Sequence, residues 1–120
     1  MKKDNCLFLE HILESIINIE KFTKDKTKSD FLNSIQLQDA IIRRLEIIGE
    51  ATKNLPKHFR DKYTDVRWDE MARMRDKLIH HYFRVDLNIT WNVIKKDFPP
   101  LKKSIHSILA DLKKAKEGDA

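Results

Sequence analysis

The sequence predicts an all-α protein: an up-and-down four-helix bundle with one short additional helix. Three observations carry that expectation. Apolar residues recur at spacings of three and four through most of the chain, the mark of helices with one buried stripe. Only two Gly and three Pro are present, too few for the turns of a β-sandwich. No stretch alternates apolar and polar residues in the manner of a strand. At 120 residues the chain fits one domain, 1–120, and folding should hide roughly two-thirds of the surface an unfolded chain exposes.

The first helix is expected from about Asn5 to Lys24, with Leu9, Ile12, Leu13, Ile16, Ile17 and Phe22 on its apolar stripe. A polar, lysine-rich turn follows, and Thr27 with Asp30 three residues later resembles a capping box. Phe31, Ile35, Ile41, Ile42, Leu45, Ile48 and Leu55 mark one long second helix, closed by Asn54 and Pro56. Gly49 lies inside it, where glycine costs about 1 kcal/mol relative to alanine. Either another backbone comes close there or the residue is merely tolerated.

Pro56 to Tyr63 reads as a short helix or turn, and Thr64 to Arg67 as a polar connection into Trp68. The third main helix runs from Trp68 to His80, with Asp69 and Glu70 in the first turn where the helix dipole favours acids. Asp86 is a candidate N-cap for a fourth helix carrying Leu87, Trp91, Ile94 and Phe98, interrupted by Pro99-Pro100. In the fifth helix Leu101, Ile105, Ile108, Leu109 and Leu112 form the stripe, while Lys102, Lys103, Lys113, Lys114 and Lys116 hold the wet side. Short connections between such helices favour antiparallel neighbours.

Lys and Arg number 24 against 19 Asp and Glu, giving +5 at pH 7 and a pI near 9.3. This balance favours polyanionic partners such as nucleic acid without demanding one. Cys6 has no internal partner, so a reduced cytosol is the expected compartment. The apolar run behind Met1, Lys2 and Lys3 is only Cys6 to Leu9, and no segment approaches the roughly 20 apolar residues of a membrane span. A soluble cytoplasmic protein is expected.

The densest cluster of chemically capable side chains is Arg75, Asp76, His80, His81 and Tyr82. At about 100° per residue, Asp76 and His80 share a helix face and can hydrogen-bond, and Arg75 and Tyr82 share another. Arg75 and His80 diverge by roughly 140°, so an unbroken helix does not aim both at one phosphate. A distorted helix end or a two-fold axis pairing two copies would have to bring them together. Converged, they suit RNA cleavage without a metal: imidazole can exchange protons with the ribose 2'-hydroxyl or the leaving oxygen, and guanidinium can stabilise charge growing on phosphate. Tyr82 could orient the phosphate or stack on a base.

Plainer readings stand beside that one. Histidine is favoured at a helix C-terminus by the dipole, and an Arg-Asp neighbour pair is ordinary surface chemistry. Adjacent His80 and His81 diverge on a helix, so no metal site and no cofactor are expected. His11, His58 and His106 stand alone and read as surface or core residues. Trp68 and Trp91 fall where their helices need a large packing residue, and the lysines of the last helix read as a solvated face.

Arg75-Asp76-Lys77-Leu78-Ile79-His80-His81-Tyr82 resembles the Arg, four to six residues, His signature of the HEPN superfamily, and Tyr82 matches the tyrosine of its HepT-like branch. Ile48-Gly49-Glu50-Ala51, Leu55-Pro56, Trp68, Val85-Asp86-Leu87 and Trp91 extend the resemblance in order and spacing. It implies a dimerising helical bundle with the Arg-His motifs of two protomers facing one cleft. It further implies the toxin of a prokaryotic toxin-antitoxin system, type II or type VII-like, acting as a metal-independent ribonuclease on RNA and neutralised by an MNT-type nucleotidyltransferase. On that resemblance Arg75 would bind phosphate, His80 would be the acid/base, Asp76 a polar support, and Tyr82 a site the nucleotidyltransferase can modify with AMP. Glu50 either faces the cleft or pairs with a neighbouring cation. The alternative to a nuclease is a non-catalytic helical adaptor that recruits RNA or the nucleotidyltransferase.

Overall fold

The computed structural model describes residues 2–80 and 86–118, with side-chain surroundings for 5–76 and 86–115. Seven helices appear among them: α1 (Lys2–Thr23), α2 (Lys28–Leu32), α3 (Ile35–Asn54), α4 (Lys57–Lys62), α5 (Trp68–His80), α6 (Leu87–Lys96) and α7 (Phe98–Gly118). The described residues contain no strand, as the sequence pattern requires. No described helix is long and apolar enough to cross a membrane.

The expected long second helix is broken into α2 and α3. The capping box forms: Thr27 Oγ1 accepts from the Asp30 backbone N–H at 3.1 Å, and the Asp30 carboxylate accepts from the Thr27 N–H at 2.8 Å. Asn33 ends α2 after little more than a turn. Extended Ser34 then caps α3, its hydroxyl accepting from the Leu37 N–H at 3.1 Å. The Gln38 side chain donates to the Phe31 and Leu32 carbonyls at the C-terminal end of α2, where helical partners run out. The break turns Phe31 inward, fully buried and stacked on Trp91 with centroids 5.5 Å apart, while Ile35, expected on the stripe, is 75% exposed.

Helix α3 packs between α1 and α5, α1 also packs on α7, and α6 links α7 to α2. Leu9, Ile12, Ile16 and Ile19 of α1 meet Ile41, Leu45 and Ile48 of α3 and Ile105 and Ile108 of α7 in one core. Both tryptophans are buried, and Trp68 Nε1 donates to the Tyr63 carbonyl at 2.9 Å. Helix α4 is the expected short extra helix, fixed by Phe59 against Tyr63 and Trp68. Pro99 and Pro100 lie in the first turn of α7, where a missing N–H leaves no helical bond unmade. They mark the start of the last helix rather than an interruption within α6.

Candidate functional site

The site begins with a close crossing. A Cβ built on Gly49 would collide with the Cβ of Arg75 and lie 2.9 Å from its Cγ and 3.0 Å from the Met71 carbonyl oxygen. Glycine is therefore required for α3 and α5 to meet at this separation, which answers why it stands inside a helix. Glu50 follows on α3, and Lys53 stands three residues further along the same face. Both reach α5 beside the crossing.

The result is an alternating row of charges. Arg75 Nη2 lies 2.8 Å from Glu50 Oε2, Arg75 Nη1 lies 3.2 Å from Asp76 Oδ1, and Lys53 Nζ lies 2.9 Å from that same Asp76 oxygen. The side chain of Arg75 is 25% exposed, against 56% for Glu50 and 44% for Asp76. The aliphatic part of Arg75 is packed at the crossing and its head is steered by two carboxylates. The Lys53 hydrogen bond, and after it that of Arg75, holds the Asp76 carboxyl below its ordinary value. A guanidinium has five N–H donors, so two carboxylate contacts leave others for a phosphate.

Arg75 also forms part of the wall of an open groove of about 360 Å³. Phe8 and His11 of α1 and Arg43, Glu46 and Glu50 of α3 line it as well. The expected cluster is thus partly assembled: Glu50 contacts Arg75 directly, and Asp76 supports the same guanidinium. Of the expected contact between Asp76 and His80, the described partners of Asp76 are Lys53 and Arg75. His80 is the last described residue of α5, and its side chain lies outside the described residues. Tyr82 also lies outside them. Along an ideal helix His80 stands about 7.5 Å beyond Arg75.

Two residues, Lys53 and Arg43, went unnoticed in the sequence, and a third, His11, was read there as a surface or core residue. Lys53 is signalled only by its place one turn from Glu50, and nothing in the sequence ties it to Asp76. His11 and Arg43 carried no signal, since their shared groove depends on how α1 packs on α3. On α7, Lys102 pairs with Glu20 at 2.9 Å, while Lys103, Lys113 and Lys114 are exposed.

Comparison with known proteins follows the same lines. The family described as Ribonuclease HepT-like matches residues 12–108. A Methanocaldococcus jannaschii protein named as a gamma-glutamylcyclotransferase and "putative RNase" is 59% identical over 116 residues; these cover 97% of this chain but 52% of that protein, so the chain spans about half its length. A second protein of that organism, also named a "putative RNase", is 48% identical over 92% of each chain. A Thermococcus cleftensis protein named "Probable ribonuclease HepT" is 50% identical over 85% of this chain and 93% of its own. No solved structure matches. The family match over most of the chain, together with relatives of this identity that it covers almost end to end, makes this chain a member of the Ribonuclease HepT-like family.

Proposed function

We propose that this protein is a metal-independent ribonuclease, the toxin of a prokaryotic toxin-antitoxin system, acting as a homodimer in which Arg75 and His80 of two protomers share one cleft. The observation that carries this reading is the placement of Arg75, steered by Glu50 and Asp76 and partly exposed in the wall of a groove. Family membership and the ribonuclease names of the relatives support it. An arginine prepared in this way loses little side-chain freedom when phosphate binds, so its contact is spent on the growing charge of the transition state.

The ribose 2'-hydroxyl gives up its proton to an imidazole as its oxygen bonds to phosphorus. The bond to the 5'-oxygen breaks, and that oxygen takes a proton from an imidazolium. The products are a 2',3'-cyclic phosphate and a free 5'-hydroxyl. On an ideal helix positions 75 and 80 stand about 140° apart, which is why the reading brings in a second protomer. Tyr82 serves as the site where an MNT-type nucleotidyltransferase adds AMP, and the added negative charge repels RNA from the cleft.

Incubating the purified chain with RNA in EDTA tests this directly. Fragments ending in 2',3'-cyclic phosphate are expected, with His80→Ala reducing the rate about 100-fold to 10,000-fold and Arg75→Ala abolishing detectable cleavage. RNA binding without fragments would replace the nuclease by a non-catalytic adaptor. Undiminished cleavage in both variants would overturn the assignment of the site.

A further inference from the structure

The groove that Arg75 lines is longer than one phosphate needs, and it holds a second cation. Arg43 precedes Glu50 by seven residues on α3, two helical turns or about 10 Å along the same face. It is exposed and forms no ion pair among the described residues. The rest of the lining is different in character. Phe8 and Ile47 are half-buried and apolar, His11 adds a second ring from α1, and the half-buried carboxylate of Glu46 lies on the α3 side. Two cations about two helical turns apart, an aromatic surface and carboxylate acceptors in one groove match the parts of a nucleotide: phosphate, base and base edge.

We propose that this groove is a subsite for the nucleotide flanking the scissile phosphate of single-stranded RNA. Arg43 takes the outer phosphate, Phe8 and His11 face the base, and Glu46 accepts a hydrogen bond from an exocyclic amine. The proposal rests on the ribonuclease reading above and adds where the neighbouring part of the strand is held. A volume of about 360 Å³ suits one small ligand, at the low end of the roughly 300–1,000 Å³ range of such sites. Charge selects the occupant. Arg43 and Arg75 are offset by Glu46 and Glu50, so the groove is close to neutral, with phosphate favoured beside the arginines and an uncharged group beside the carboxylates. A nucleotide meets that pattern, with its phosphates at the arginines and its uncharged base beside the carboxylates. Cytosine and adenine offer an amine to a glutamate, whereas uracil offers a carbonyl oxygen in the equivalent place.

Fluorescein-labelled single-stranded oligonucleotides rich in cytidine or in uridine, with the full-length chain, provide the test. Arg43→Gln should raise KM about tenfold with kcat changed less than about twofold, and Arg43→Lys should recover part of the loss. Loss of one phosphate contact should also flatten the slope of log affinity against log salt by about 0.7. Glu46→Ala should shrink the preference for cytidine over uridine. Arg43 is exposed, so folding of its variants is checked simply by circular dichroism. Unchanged KM and salt slope in Arg43→Gln would overturn the subsite while leaving the nuclease standing. Should the wild-type chain bind but not cut RNA, anisotropy reads the subsite instead: weakened binding and a flatter slope in Arg43→Gln support it, and unchanged binding overturns it.

Discussion

Replacing Gly49 by alanine adds a single methyl group at the α3–α5 crossing, and the sign of its effect reports on how the site is built. In an unconstrained helix the change stabilises by about 1 kcal/mol. Here the new atom meets the Cβ of Arg75 and the Met71 carbonyl oxygen, neither of which can rotate away. The helices must move apart instead. Overpacking of this kind costs about 1–3 kcal/mol, and contact with backbone places it toward the upper end. Against the gain in helix propensity, a net loss of about 1–2 kcal/mol is expected. Unfolding entropy near 2.1 cal/mol/K per residue over 120 residues converts this to a Tm lower by about 4–8 °C. Thermal melts followed by circular dichroism at fixed protein concentration measure it. Adding Arg75→Ala to Gly49→Ala should relieve only a small part of the steric cost, since the nearest obstructing atom is the Cβ that alanine keeps. A Gly49→Ala protein as stable as the wild type, or more so, would refute the close crossing and with it the placement of Arg75.

Trp91→Ala should destabilise by about 3–5 kcal/mol in a denaturant titration, because it empties a buried site where α6 holds Phe31 of α2. Glu50→Gln should lower kcat/KM on RNA by about tenfold with little change in Tm, because it removes a charged partner that orients Arg75 at a half-exposed position. Asp76 contributes a pH dependence of known sign. Its folded carboxyl titrates below the usual 3.8, so the unfolded chain binds the proton first as pH falls. Its stabilisation is complete above about pH 4 and is lost as pH drops through the lower folded value. Urea titrations between pH 2 and pH 5 should therefore show a shallower acid-side decline in Asp76→Asn than in the wild type, and equal slopes would count against the Lys53 and Arg75 contacts.

The helices themselves were largely legible. Leu9, Ile12 and Ile16 announce α1, Asp86 caps α6 by accepting from the Asn88 and Ile89 N–H groups, and the Thr27 capping box forms as its spacing implied. The break at Asn33 and Ser34 was not read, because the apolar spacing runs on across it and the N-cap signal of Ser34 is a single hydroxyl. Ile35 shows the consequence: a residue at the right spacing for a stripe ends on the surface once the helix restarts with a different phase.

The candidate site divides the same way. Arg75, Asp76 and Glu50 stand out in sequence by type and by their resemblance to a known pattern, yet only packing makes Glu50 the partner of Arg75 and gives Asp76 a second cation in Lys53. Local order is set by neighbours three and four residues apart, so the sequence alone determined the all-helical class, most of the buried stripe and the cluster of capable side chains. Which helices touch, and at what depth, depends on contacts far apart along the chain. The tertiary structure alone therefore decided that Gly49 admits Arg75, that Lys53 reaches Asp76, and that His11 and Arg43 share a groove with Arg75 and Glu50.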